Sequence, residues 1–125
     1  MSQENVEVVR AIYEAWADGR SARELIEPDM EYVNPSYALE SGIHRDRRKL
    51  AKIREVYPDF RVEPERFVDA GDEVVVIGTA RGTSASGVQA HWQQGYVWTV
   101  RDGKAVRFRW FNDPREALEA VGPRE

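Results

Sequence analysis

Proton-transfer chemistry near neutral pH needs a side chain that takes and returns a proton, and the sequence offers two histidines for it, His44 and His91. There is no cysteine, which removes thiolate nucleophiles, Cys-based metal centres and disulfides. The two histidines stand far apart, with no His-x-x-x-His pair and no carboxylate cluster, so no metal site and no cofactor are expected. Gly78, Gly82 and Gly87 lack dinucleotide-fingerprint spacing and fall on or between predicted strands, so they read as hairpin residues. Oxygen, imidazole and amide groups remain. Of the two histidines, His91 lies in a long β-rich run and is the better candidate acid–base; His44 reads as a loop residue near a helix start. Four tryptophans and five tyrosines are many for 125 residues, and both types need polar partners when buried.

These residues must be positioned by the elements around them. From Glu4 to Asp18, Val6, Val9, Tyr13 and Trp16 recur with a helical period, widened by Val8, Ile12 and Ala15. Ser2 can cap that helix at its start and Gly19 at its end. Ser21-Ala22-Arg23-Glu24 has the capping-box form, predicting a short second helix through Leu25 and Ile26 that stops before Pro28. Met30 to Asn34 reads as a strand closed by Pro35, and Ser36 to Gly42 as loop. A helix from Asp46 to Tyr57 carries Leu50, Ile53 and Tyr57 on one face. Arg45, Arg47, Arg48, Lys49, Lys52 and Arg54 make its other face basic. Asp46 and Glu55 dilute that charge and no aromatic is interleaved, so it reads as a solvated face, not a phosphate site.

From Phe60 the pattern turns β-rich, in runs from Phe60 to Val68, Glu73 to Arg81, Val88 to Val100 and Lys104 to Phe111. Ala70-Gly71-Asp72 and Arg101-Asp102-Gly103 predict hairpin turns, and Gly82 to Gly87 a looser one. Asp113, Pro114 and Gly122 bracket a short C-terminal helix. This order predicts an α+β domain: helices on one face of a curved antiparallel sheet, forming a cone open at one end. A length of 125 residues, 42% hydrophobic and 32% charged, fits one domain over residues 1–125. A net charge of -4 argues against wrapping nucleic acid. No apolar run approaches a membrane span and the N-terminus has no signal-peptide pattern, so a cytoplasmic protein is expected.

Several stretches resemble the SnoaL-like branch of the nuclear transport factor 2-like superfamily. They are Glu4-Asn5-Val6-Glu7-Val8-Val9-Arg10 with Trp16 and Gly19, Pro28-Asp29-Met30-Glu31-Tyr32, and Ala70-Gly71-Asp72-Glu73-Val74-Val75-Val76. Arg101-Asp102-Gly103-Lys104, Val106-Arg107-Phe108 and Asp113-Pro114-Arg115-Glu116-Ala117-Leu118-Glu119-Ala120 resemble its closing hairpin and last helix. The resemblance implies a cone-shaped, cystatin-like α+β roll, a pocket between the first helix and the concave sheet, and a homodimer formed through the convex face. It does not imply one chemistry, because the superfamily holds isomerases, cyclases, hydrolases and binding modules.

Set against those chemistries, the sequence departs at the carboxylates. Ketosteroid isomerases of this fold use an aspartate just before a proline, where this chain has Asn34-Pro35, and an amide is no base near pH 7. Limonene-type epoxide hydrolases resemble it at Tyr32-Val33-Asn34, but their last-strand aspartate corresponds to Trp110. SnoaL-type cyclases need less from the protein, because folding a flexible polyketide supplies much of the effect; there His91 is the candidate acid–base. Its orientation depends on which alternating set of the Val88 to Val100 run faces the cone. The last strand, by alternation, puts Val106, Phe108, Trp110 and Asn112 on the face that the family turns inward. The expected ligand site is therefore Tyr13, Trp16, Tyr32, Asn34, Trp110 and Asn112, holding a small apolar molecule. A cyclase or isomerase-like enzyme and a non-catalytic ligand-binding or dimeric accessory module both remain open.

Overall fold

The apolar stripe folds as α1, Ser2–Ala17, in a computed structural model that describes residues 2–38 and 41–122. Val6, Val9, Ile12, Tyr13 and Ala15 of α1 are buried. The helix ends at Gly19, whose φ of 78° costs glycine nothing and lets the Arg20 N–H bond to the Ala15 carbonyl at 2.8 Å. The side chain of Ser2, the expected cap, lies outside the described part.

The expected capping box does not form. Ala22 takes the cap position at φ 58°, with no side-chain hydrogen bond, and only a 3-10 turn, Arg23–Leu25, follows. The reason is packing: the Ala22 methyl is buried in the core, fixing the chain at a left-handed residue. Strand β1 begins earlier than predicted and spans Ile26–Asn34. It passes through Pro28 because pairing to its neighbour is interrupted between Ile26 and Glu31, so no ladder donor is lost there.

After a loop comes a short strand, β2, Gly42–Arg45, and then a 3-10 helix, Arg47–Glu55, where an α-helix was expected. Its start is capped by the Asp46 side chain, which accepts from the Arg48 N–H at 2.9 Å. A 3-10 helix aligns every third residue. Arg47, Leu50 and Ile53 form that inner line: Leu50 packs on the core, and Arg47 donates to the Ile26 carbonyl at 3.1 Å. The basic residues outside the line are exposed or half-buried.

Four strands follow, β3 (Arg61–Ala70), β4 (Glu73–Thr83), β5 (Gln89–Arg101) and β6 (Lys104–Phe111), and then α2 (Pro114–Ala120). Asp102 and Gly103, at φ 53° and 79°, make the tight turn that the Asp-Gly pair predicted. All six strands form one curved, open sheet in the order β2-β1-β6-β5-β4-β3. Every pair is antiparallel except one: β1 lies parallel to β6, so the sheet is mixed.

Register defines the two faces. One row of opposed residues crosses all six strands as His44, Tyr32, Phe108, Trp98, Val74 and Asp69. This concave face packs on α1, and its core includes Tyr96, Trp98 and Phe108. On the convex face Val75 and Val97 pack with Ala117 of α2. Among the described residues, no helix is long and apolar enough to cross a membrane.

Candidate functional site

Where the concave face packs on α1, the interior is aromatic. Tyr13 of α1 lies edge-on to Trp98 with ring centroids 5.9 Å apart, and its hydroxyl oxygen accepts the Trp98 indole N–H at 3.1 Å. Trp16, one turn on, is edge-on to Tyr13 at 5.4 Å and donates to the Ser21 carbonyl at 3.2 Å. Phe108 stacks on Tyr96 at 5.7 Å and meets Tyr32 at 5.3 Å. Tyr13, Trp16, Tyr96 and Trp98 thus satisfy their polar ends while their rings pack on the core.

The ends of β1 and β6 are half-buried and more polar. Tyr32, Asn34 and Trp110 are all half-buried there, and the Trp110 indole N–H donates to Asn34 Oδ1 at 2.6 Å. Asn112 is exposed; its side-chain oxygen accepts from Gln94 Nε2 at 2.9 Å, and its backbone N–H donates to the Tyr37 hydroxyl at 2.9 Å. Gln94, buried, also accepts from the Tyr96 hydroxyl at 2.7 Å. The sequence reading left Gln94 out of the ligand site. Its place there follows only from the facing of β5, which alternation alone did not settle.

Burial sets the state of the phenols. Loss of solvent pushes Tyr32 up to about 12. Tyr96 is raised by burial and then by Tyr32, and Tyr13 is raised well above 10.0 by burial and then by Tyr96, with the Trp98 bond opposing. All three are neutral phenols at physiological pH, so none is a base.

Strand register fixes the facing of both histidines. On β5, Gln94, Tyr96 and Trp98 take the cone face, so a period of two sends His91 to the convex side. His91 is exposed there, opposite Arg81, at an open cleft of about 160 Å³ that Asp59, Arg61 and Thr83 also line. The inward placement that would make it the pocket's acid–base is not the one adopted. His44 is instead a strand residue, opposite Tyr32 and on its face of the sheet, half-buried between exposed Ile43 and Arg45.

One further adjustment concerns β6. Register shifts between Thr99 and Val100, so Val106 is the extra, bulged residue and Ala105 enters the core in its stead. Trp110 and Phe108 keep their expected inward face. A second open cleft, of about 290 Å³, lies on the basic 3-10 helix between Asp46 and Glu55 and belongs to the outer surface. Among the described residues no three histidines or carboxylates gather as a metal site.

The geometry has counterparts in known proteins. The sequence profile of the SnoaL-like domain matches residues 9–108. TerC, crystallised with polyporic acid, is 31% identical over 96% of this chain and 99% of its own, with a TM-score of 0.73. IdmH from Streptomyces antibioticus, described as a candidate polyketide cyclase, is 26% identical over 94% and 97%, with a TM-score of 0.70. An NTF2-like protein of unknown function from Burkholderia pseudomallei is 28% identical over 96% and 98%, with a TM-score of 0.72. A search of the curated proteins finds no match.

Proposed function

The chain belongs to the SnoaL-like domain family, and we propose that its cone binds a small, planar, mostly apolar molecule through the mouth formed by Tyr32, Asn34, Trp110 and Asn112. The observation that carries this is the half-buried aromatic wall. Tyr32 keeps a half-buried ring against the buried Phe108, and Trp110 a half-buried ring edge-on to the exposed Tyr37, which suits stacking of a flat ligand, and the amides of Asn34 and Asn112 stand at its rim. Tyr13 and Trp16 close the floor. That TerC was crystallised with polyporic acid, and that IdmH is described as a polyketide cyclase candidate, supports a ligand of aromatic or polyketide kind.

The chemistry such a site favours is conformational. With Asn34 and Trp110 where related enzymes keep carboxylates, ring closure here would depend on holding a reactive chain in a near-attack shape. The same wall would serve a carrier that only holds its ligand. We also propose a homodimer through the convex face, where Ile43 of the edge strand is more than half exposed. The test of the binding reading is tryptophan-fluorescence titration with flat aromatic probes, beside Trp110→Ala. Saturable quenching that weakens at least about tenfold in the variant is expected; equal binding by both proteins would place the ligand elsewhere. Light scattering tests the dimer, a monomer mass at micromolar protein counting against it.

A further inference from the structure

A run of hydrogen bonds leads from the buried core out to Asn112, and it fixes which way the amides point. The buried Tyr96 hydroxyl donates to Gln94 Oε1 at 2.7 Å, which leaves Gln94 Nε2 as the donor to Asn112 Oδ1 at 2.9 Å. The Asn112 amide oxygen is therefore engaged from the core side, and among the described residues its Nδ2 meets no acceptor. The loop after β1 brings a second donor. The Tyr37 hydroxyl oxygen accepts the Asn112 backbone N–H at 2.9 Å, while its own O–H meets no acceptor among the described residues. The Tyr37 ring is more than half exposed and stands edge-on to Trp110 at 6.2 Å. The two donors are close neighbours, because the Tyr37 oxygen is bonded to the backbone of the residue whose side chain carries the other.

We propose that Tyr37 and Asn112 form a two-donor seat for a carbonyl oxygen, so that the ligand stacked at Trp110 is a flat aromatic ketone or quinone. This rests on the binding reading given above. The oxygens of both side chains already accept from this chain, so a ligand N–H or O–H finds less to bond here than a ligand oxygen does. A carbonyl oxygen carries two lone pairs and suits two donors. The nearest carboxylate along the chain does not compete for them: Asp113 is held by the Arg115 guanidinium at 2.9 Å and by the Arg115 N–H at 2.9 Å. Trp110, two residues before Asn112, supplies the surface on which the ligand's ring lies.

The probes are fluorenone and fluorene, which share one flat tricyclic frame and differ by the carbonyl, titrated against the full chain by tryptophan fluorescence. Tyr37→Phe deletes the O–H and keeps the ring against Trp110. Asn112→Asp keeps an oxygen for Gln94 Nε2 and deletes the Nδ2 donor. The ratio of fluorenone to fluorene affinity is expected to fall about tenfold in Tyr37→Phe, and at least as far in Asn112→Asp, where a carboxylate would face the carbonyl. The ratio separates recognition of the oxygen from shape, since a change of shape alone moves both probes together. In the unsubstituted protein the infrared carbonyl stretch of bound fluorenone should lie below its frequency in hydrocarbon solvent, and Tyr37→Phe should raise it, a readout that holds even where Asn112→Asp folds poorly. A ratio unchanged in either variant, a proportional loss of both probes, or a bound carbonyl stretch as high as in hydrocarbon solvent would each overturn the assignment while the cone remains a binding site. Failure of both probes to bind would instead remove the binding reading itself, and this inference with it.

Discussion

At the scale of single residues, the interior is organised by polar ends that must find partners inside an aromatic core. Tyr13→Phe removes the acceptor of the buried Trp98 N–H, so it should destabilise the fold by about 1–3 kcal/mol. Urea unfolding checks this: the midpoint falls while the slope stays constant. Asn34 offers a paired test at the mouth. Asn34→Asp keeps an oxygen for the Trp110 indole and should leave stability at neutral pH nearly unchanged, whereas Asn34→Leu strands that donor and should cost about 1 kcal/mol. That Asn34 and Trp110 lie side by side was legible from strand alternation, and the two bond at 2.6 Å. The facing of the two histidines was not. On β5, Trp92, Gln94, Tyr96 and Trp98 alternate with His91, Gln93, Gly95 and Val97, and both sets carry apolar residues because α1 covers one face and α2 the other. A strand covered on both sides has no polar face to reveal its phase.

At the scale of elements, α2 docks where a side chain is missing. A Cβ on Gly95 would stand 2.6 Å from the Ala117 Cβ and 3.0 Å from the Pro114 Cα, so Gly95→Ala must push the helix off the convex face. A loss of about 1–3 kcal/mol is expected on thermal unfolding. Ala117→Gly relieves the collision, so the double variant should lose less than the sum of the singles. Asp113 caps α2 by accepting from the Arg115 N–H at 2.9 Å, and Asp113→Ala should fray that helix in amide exchange. Elements marked by local chemistry were readable, as the Asp102-Gly103 turn and the Asp113 cap show. The 3-10 helix was not distinguishable from an α-helix, since Leu50 and Ile53, three apart, share a face in either one. Strand β2 is four residues with one half-buried side chain, His44, too little alternation to announce a strand.

For the whole molecule, charge and burial set the pH limits of the fold. Tyr13, Tyr32 and Tyr96 release protons less readily when folded, so the native state holds those protons and their stabilisation is complete below pH 10. It is lost as pH rises from 10 through about 12, where Tyr32 ionises. Tyrosinate absorbance in that range should therefore rise together with loss of circular dichroism, not ahead of it. The acid limb has the opposite sign. Ion pairs hold Glu31, Glu63 and Asp113 below their ordinary values and push Asp46 down to about 2, and hydrogen bonds from the Thr83 N–H and hydroxyl lower Asp59, so stability present above pH 4.5 is lost as pH falls towards 2. Those carboxylates are exposed or half-buried, and salt should blunt the acid transition more than the alkaline one.

The parallel seating of β1 against β6 has a consequence for how the protein comes into being. Glu31 and Arg107, which bond across that seam, are separated by 76 positions in sequence. During translation β1 leaves the ribosome long before its partner is made, so Tyr32 and Met30 wait in an unfinished chain while the β3–β4–β5 hairpins, built from near neighbours, can already form. The half-buried cluster of Tyr32, Asn34 and Trp110, made from the ends of β1 and β6, is then among the last parts assembled. A nascent chain halted at Gly103 should stay protease-sensitive in residues 26–34, and one released after Gly122 should not.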